Sequence, residues 1–191
     1  MWVREGLYLK LGSNSAKWTA ATYHGNLTLT VESTTYLKRY VPRAGDELLV
    51  TLQGSCRCGG LRVAFSTAQD LASIVPRACD CSFCQKHGAA YVSDPAGRLS
   101  ISETASGSLR EYRQGTNTAR FFVCGGCGVL VAVVFDHASR IFGAVNVKCF
   151  DGQSCFANSV PASPQRLSVE EKTARWLALW VPDVKVTLSG A

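Results

Sequence analysis

A chain of 191 residues, 47% hydrophobic and 18% charged, suffices for one well-cored domain and is short for two; its composition is neither disordered nor membrane-like. Its most apolar run, residues 129–135, falls far below the roughly 20 residues of a spanning helix, so no membrane partner is expected. The formal charge of +6 comes from scattered lysines and arginines without a basic run or an aromatic-interleaved strip, which argues against nucleic-acid binding.

Residues 1–52 read as an N-terminal extension. Leu27, Leu29 and Val31 alternate with threonine as a half-buried strand does, and residues 48–52 suggest another. Arg4, Glu5, Lys10 and Lys17 interrupt any apolar signal-peptide core, so a cytoplasmic location is expected. In that reducing compartment nine cysteines read as metal ligands more readily than as disulfides.

Residues 53–165 read as a zinc-type domain. Leu61, Val63 and Phe65 alternate, and Ile74 and Pro76 lead towards Cys79. Further strand-like pieces cover 89–92, 99–101, 109–113, 119–124, 129–135 and 141–147. Short strands separated by Gly, Asp and Pro, with no βαβ alternation, predict a mainly β fold of antiparallel sheets. A Ser/Pro-rich linker follows from 151 to 164. Residues 166–191 then predict a C-terminal helix and strand packing on the zinc domain. Ser168 and Glu171 form a capping box, Trp176, Leu177, Leu179 and Trp180 supply the apolar face, Pro182 stops the helix, and Val184, Val186 and Leu188 alternate.

The cysteines fall as pair, triple and pair. Residues two apart on an extended chain share a side, so Cys56 and Cys58 can face one ion before Gly59 and Gly60 turn the backbone away. Cys124 and Cys127 flank two glycines, with Gly128 after them, in a knuckle whose backbone geometry suits glycine. Together the pairs predict a four-cysteine structural zinc site. Cys79, Cys81 and Cys84 predict a second, three-sulfur zinc site with an open position. His87, three residues on, either closes it or faces solvent in the turn at 86–88, the reading adopted here. Cys149 reads as a small buried hydrophobe and Cys155 as an exposed thiol. Seven thiolates with two zinc ions lower the formal charge by three, to about +3.

Charge constrains the second site. Zinc with three thiolates carries −1 and activates water poorly, whereas a thiol can lose its proton there and remain nucleophilic towards carbon. The extra negative charge calls for nearby cations, and Arg77, Lys86 and Arg120 are the candidates by motif proximity.

The segments GSCRCGG (54–60), CDCSFC (79–84), EYRQGT (111–116), TARFFVCGGCG (118–128) and AVNVKCFDG (144–152) together resemble the glutathione-dependent formaldehyde-activating enzyme and centromere protein V family. Five motifs in order across residues 53–155 make the resemblance specific. It implies a zinc-containing β-tent with two zinc ions per chain: a structural one on Cys56, Cys58, Cys124 and Cys127, and a second on Cys79, Cys81 and Cys84 beside the thiol-substrate site. It also implies carbon–sulfur lyase-type chemistry, with glutathione as co-substrate adding to formaldehyde to give S-hydroxymethylglutathione. The long leader, His87 and the C-terminal helix depart from the family pattern.

Two functions follow. In the first, an enzyme joins a small-molecule thiol to a small aldehyde at the triple, with Arg120 or Lys86 neutralising charge or holding a carboxylate of the peptide. In the second, a non-catalytic zinc scaffold carries glutathione or binds a macromolecular partner. A long basic arm would favour the scaffold, and the chain has none. Nothing in the sequence sets an oligomeric state.

Overall fold

A computed structural model of the chain describes residues 18–23, 26–31, 49–151 and 155–190. The extension expected over 1–52 lies mostly outside these residues. Within it, β1 (Trp18–Tyr23) and β2 (Asn26–Val31) pair as an antiparallel hairpin, and the alternating leucines fall on β2.

The next strands are β3 (Val50–Ser55) and β4 (Leu61–Thr67). Period-two alternation is cleanest in β4, where Leu61, Val63, Phe65 and Thr67 are buried and Arg62 is exposed. The remaining strands are β5 (Arg77–Cys79), β6 (Ala90–Val92), β7 (Arg98–Glu103), β8 (Leu109–Tyr112), β9 (Arg120–Cys124), β10 (Leu130–His137), β11 (Arg140–Asn146), β12 (Val160–Ala162) and β13 (Asp183–Thr187). Helix α1 spans Ser82–Lys86 and α2 spans Val169–Leu179. Two larger sheets result. One has seven strands in the order β12-β5-β6-β11-β10-β9-β8, the other four in the order β13-β7-β4-β3. The fold is therefore mostly β, rich in antiparallel pairs, with a C-terminal helix. Among the described residues only the edge strands β12 and β13 pair in parallel, with β5 and β7.

The seven-stranded sheet is covered on both faces, which explains the apolar run in β10. Val131, Ala132 and Val134 face one core with Leu61, Phe65 and Ile101 of the four-stranded sheet. Leu130, Val133 and Phe135 face a second core completed by Trp176 and Trp180. A strand buried on both faces has no reason to alternate in polarity. Each tryptophan removes on the order of 150–250 Å² from water, or about 4–6 kcal/mol before ordering entropy is subtracted. The α2 helix starts at the expected box, with Ser168 N–H donating to Glu171 Oε2 at 2.8 Å and Glu171 N–H to Ser168 Oγ at 3.2 Å. After Trp180 the chain returns against β11 through a Gly143–Val181 bridge of two 2.9 Å backbone bonds. A Cβ on Gly143 would come within 3.0 Å of both Val134 and Val184, so glycine permits this approach.

At the edges of the predicted domain the structure differs from expectation. β12 arises within the predicted linker because Val160–Ala162 pairs with Arg77–Cys79. β3 begins at Val50 and pairs with β4, so residues 50–52 belong to the same sheet as the first cysteine pair.

Candidate functional site

Tight turns bring the two cysteine pairs together. In the β3–β4 turn Gly59 N–H donates to Cys56 O and Cys56 N–H to Leu61 O, both at 3.0 Å; in the β9–β10 turn Gly128 N–H donates to Cys124 O at 2.8 Å. Gly59 and Gly128 adopt φ of 75° and 73°, the left-handed region that glycine enters without a Cβ penalty. The Sγ atoms of Cys56, Cys58, Cys124 and Cys127 lie within 4.8 Å of one another. Cys58 Sγ is 3.6 Å from Cys56 Sγ and 3.5 Å from Cys124 Sγ. Zn–S bonds of about 2.3 Å in a tetrahedron place sulfurs about 3.8 Å apart, so the donor set fits zinc. Leu61 N–H donates to Cys56 Sγ at 3.2 Å. Burial pushes the Cys124 thiol up to about 12. Burial also opposes ionisation of Cys127, but the N–H groups of Val129 and Cys58 outweigh it and bring that thiol down to about 6. Crowded thiols that ionise so unequally are suited to a divalent cation, which stabilises every thiolate at once.

The triple is built differently. Cys79 ends β5, Cys81 caps α1 by accepting from Cys84 N–H at 3.4 Å, and Cys84 lies buried inside that helix. Their three Sγ atoms also lie within 4.8 Å of one another. Two polar side chains reach them: Tyr91 Oη is 3.2 Å from Cys84 Sγ, and Gln114 Nε2 donates to Cys81 Sγ at 3.3 Å. The hydrogen bond from Cys84 holds the Cys79 thiol down to about 6, and the same bond raises Cys84 far above the usual thiol range. Burial, then the Cys84 charge, keeps Tyr91 protonated well past its ordinary range. Asp80, between two of the thiols, accepts from Ser163 Oγ at 2.6 Å and from Gln165 Nε2, and this pins the segment after β12 to the site.

The other predicted residues fall apart from the thiols or beside them. His87 packs its ring 4.7 Å from Phe83 and is not gathered with the three sulfurs. Arg120 pairs with Glu111 and Asp136 at 2.7 Å each. Lys86 is exposed at the end of α1. Arg77 lines a cavity with Cys79 and Cys84. Cys149 is buried, as expected, whereas Cys155 is half-buried against the first core. All nine cysteines are free thiols.

Cys79 and Cys84 border two cavities. One, about 720 Å³ and open, is lined by Pro76, Ala78, Ala90, Lys148, Asn158 and Ser159 among others. The other, about 70 Å³, is lined by Arg77, Tyr91, Phe121, Val133, Arg175 and the tryptophans of α2. Neighbouring residues of β5 and β6 divide between them: Ala78 and Ala90 face the first, Arg77 and Tyr91 the second. Alternation along a strand puts the cavities on opposite faces of the sheet, with the cysteines common to both. Tyr91, Gln114 and Arg175 were not singled out from the sequence. The motif at 111–116 contains Gln114, but nothing local connects it to Cys81, 33 residues away.

Fold and site together define a class: a small, mostly β protein with a four-thiol and a three-thiol cluster, each able to hold a metal ion. The chain belongs to the glutathione-dependent formaldehyde-activating enzyme family, whose model matches residues 51–163. Among solved structures, a crystal structure of a Rhodobacter sphaeroides protein is similar at 25% identity and a TM-score of 0.43, with 57% of this chain and 100% of that chain covered. No curated protein matches the chain. No helix among the described residues is long and apolar enough to cross a membrane.

Proposed function

We propose that the protein is a carbon–sulfur lyase-type enzyme, S-(hydroxymethyl)glutathione synthase-like, which adds glutathione or a similar thiol to formaldehyde or another small aldehyde. One observation carries this reading: the three-cysteine cluster borders a large open cleft on one face of the sheet and a small, mainly apolar cavity on the other. The cleft falls within the roughly 300–1,000 Å³ of small-molecule sites and suits a peptide thiol. The smaller cavity suits the carbonyl compound.

Cys56, Cys58, Cys124 and Cys127 would hold a structural zinc, and Cys79, Cys81 and Cys84 a second. The second ion, when bound, would favour the thiolate form of an incoming thiol at neutral pH. The chain supplies the remaining requirements. Gln114 and Tyr91 donate towards Cys81 and Cys84 and orient them. Phe83, stacked 4.6 Å from Tyr112 and edge-on to Phe121 at 5.1 Å, limits water beside α1. The sulfur then adds to the carbonyl carbon, and the oxygen takes up a proton equivalent to the one the thiol gave up. A thiol co-substrate accords with a reducing cytoplasm.

NMR of glutathione with formaldehyde tests the reading: the wild-type chain accelerates adduct formation, and Cys81→Ser abolishes the acceleration while retaining the fold. An unaltered rate in Cys81→Ser would refute the role of the triple. Glutathione binding without acceleration by the wild type would instead identify a non-catalytic carrier.

A further inference from the structure

The small cavity is larger than formaldehyde requires and charged in a way formaldehyde does not use. At about 70 Å³ it has room for about five waters, taking on the order of 10–15 Å³ for each. Most of its wall is apolar, from Phe121, Val133, Leu179 and the stacked Trp176 and Trp180. Arg77 and Arg175 line the same space. Arg77 donates to Ser93 Oγ at 2.5 Å, and Ser93 Oγ donates to the Leu179 carbonyl at 2.6 Å. A relay to the end of α2 thus fixes the guanidinium.

Neither arginine has a carboxylate partner among the described residues, whereas Arg120 has two. Arg77 is half-buried and Arg175 exposed, and two guanidinium groups lining one cavity offer paired donors to an anion. The wall supplies a place for carbon, the arginines a place for negative charge, and the adjoining cysteines mark where the reaction would occur.

Resting on the function proposed above, we infer that the preferred carbonyl substrate is a short aldehyde acid, with its carboxylate between Arg77 and Arg175 and its carbonyl carbon towards the cysteine triple. The covalent change is simple. The thiol sulfur forms a bond to the aldehyde carbon, the carbonyl π pair moves to oxygen, and oxygen gains the equivalent of the proton lost by sulfur. Nothing is oxidised, reduced or expelled, and the arginines only hold the carboxylate.

The test uses the full, zinc-loaded chain. Glutathione-dependent turnover is compared for glyoxylate and propanal, charged and uncharged aldehydes of similar size. Tryptophan emission is titrated separately with propanoate and propanol, which cannot react. The inference predicts a higher kcat/KM for glyoxylate, and saturable quenching by propanoate but not by propanol. Losing one charge-assisted contact in Arg175→Gln should lower the glyoxylate-to-propanal ratio of kcat/KM at least about 10-fold and weaken propanoate binding comparably, with partial recovery in Arg175→Lys. An unchanged ratio in Arg175→Gln would overturn it, because arginines that merely neutralise the thiols affect both aldehydes alike. Absence of propanoate binding to the wild type would overturn it too. Arginine-dependent propanoate binding without turnover of either aldehyde would support the anion site while refuting the enzymatic reading on which it rests.

Discussion

The two cysteine clusters contain the same donor atom in different settings. Cys56, Cys58, Cys124 and Cys127 come from turns at the ends of two strand pairs, and four sulfurs complete a tetrahedral donor set. Cys79, Cys81 and Cys84 come from one strand end and one short helix and supply three sulfurs, and two of them, Cys79 and Cys84, border cavities on opposite faces of a sheet. The first arrangement ties distant parts of the chain together. The second stays near a region that other molecules can enter. Local ligand number and surroundings, rather than the chemistry of cysteine itself, separate a proposed structural centre from a proposed reactive one.

The largest expected effect falls on the first cluster. Cys124→Ser should lose one proposed zinc ion and the cooperative thermal transition, because structural zinc in small thiolate sites carries apparent binding energies on the order of 10 kcal/mol. Circular dichroism and metal analysis check this. Retention of a native transition would show that the cluster does not hold the fold. Cys81→Ser should instead keep the transition and lose only the second ion, so the pair of variants measures the difference directly.

Smaller effects should come from the groups around the triple. Gln114→Ala and Tyr91→Phe each remove a hydrogen bond to a ligand sulfur and should weaken metal retention there by about 10-fold to 100-fold, read by competition with a chelator. Cys79 of the metal-free chain ionises at about 6, below the ordinary thiol range, because Cys84 donates to it. The charged form is therefore available above that value and lost as the pH falls through it. Alkylation of Cys79 in the metal-free chain, read by mass spectrometry, should be level at neutral pH and slow below about pH 6. A slowing that begins near pH 9 would contradict the hydrogen-bonded Cys79. Gly143→Ala probes the scaffold alone: overpacking between Val134 and Val184 should cost about 1–3 kcal/mol in urea unfolding, with both ions retained.

Much of this was legible in the sequence because it is local. Glycine knuckles reveal Cys56, Cys58, Cys124 and Cys127, and alternation reveals β4. The Ser168–Glu171 box places α2 to within a residue. What escaped depends on distant chain segments. Residues 160–162 look like linker and become a strand only because β5 offers an edge. Helix α1 is five residues long, too short for periodicity to register. The tryptophans of α2 read correctly as packing residues, but the cavity they line with Arg77 and Arg175 requires β5, β9 and α2 to meet. Arg120, chosen by motif proximity, finds its carboxylates on β8 and β10, which no spacing along the chain announces.

The central claim, one closed centre and one accessible centre on the same chain, is tested most directly by counting zinc per folded chain during a chelator titration at neutral pH, with circular dichroism followed in parallel. The account predicts two ions at the start, loss of one while the fold persists, and loss of the second together with the fold. Simultaneous loss of both ions, or a single ion throughout, would contradict it.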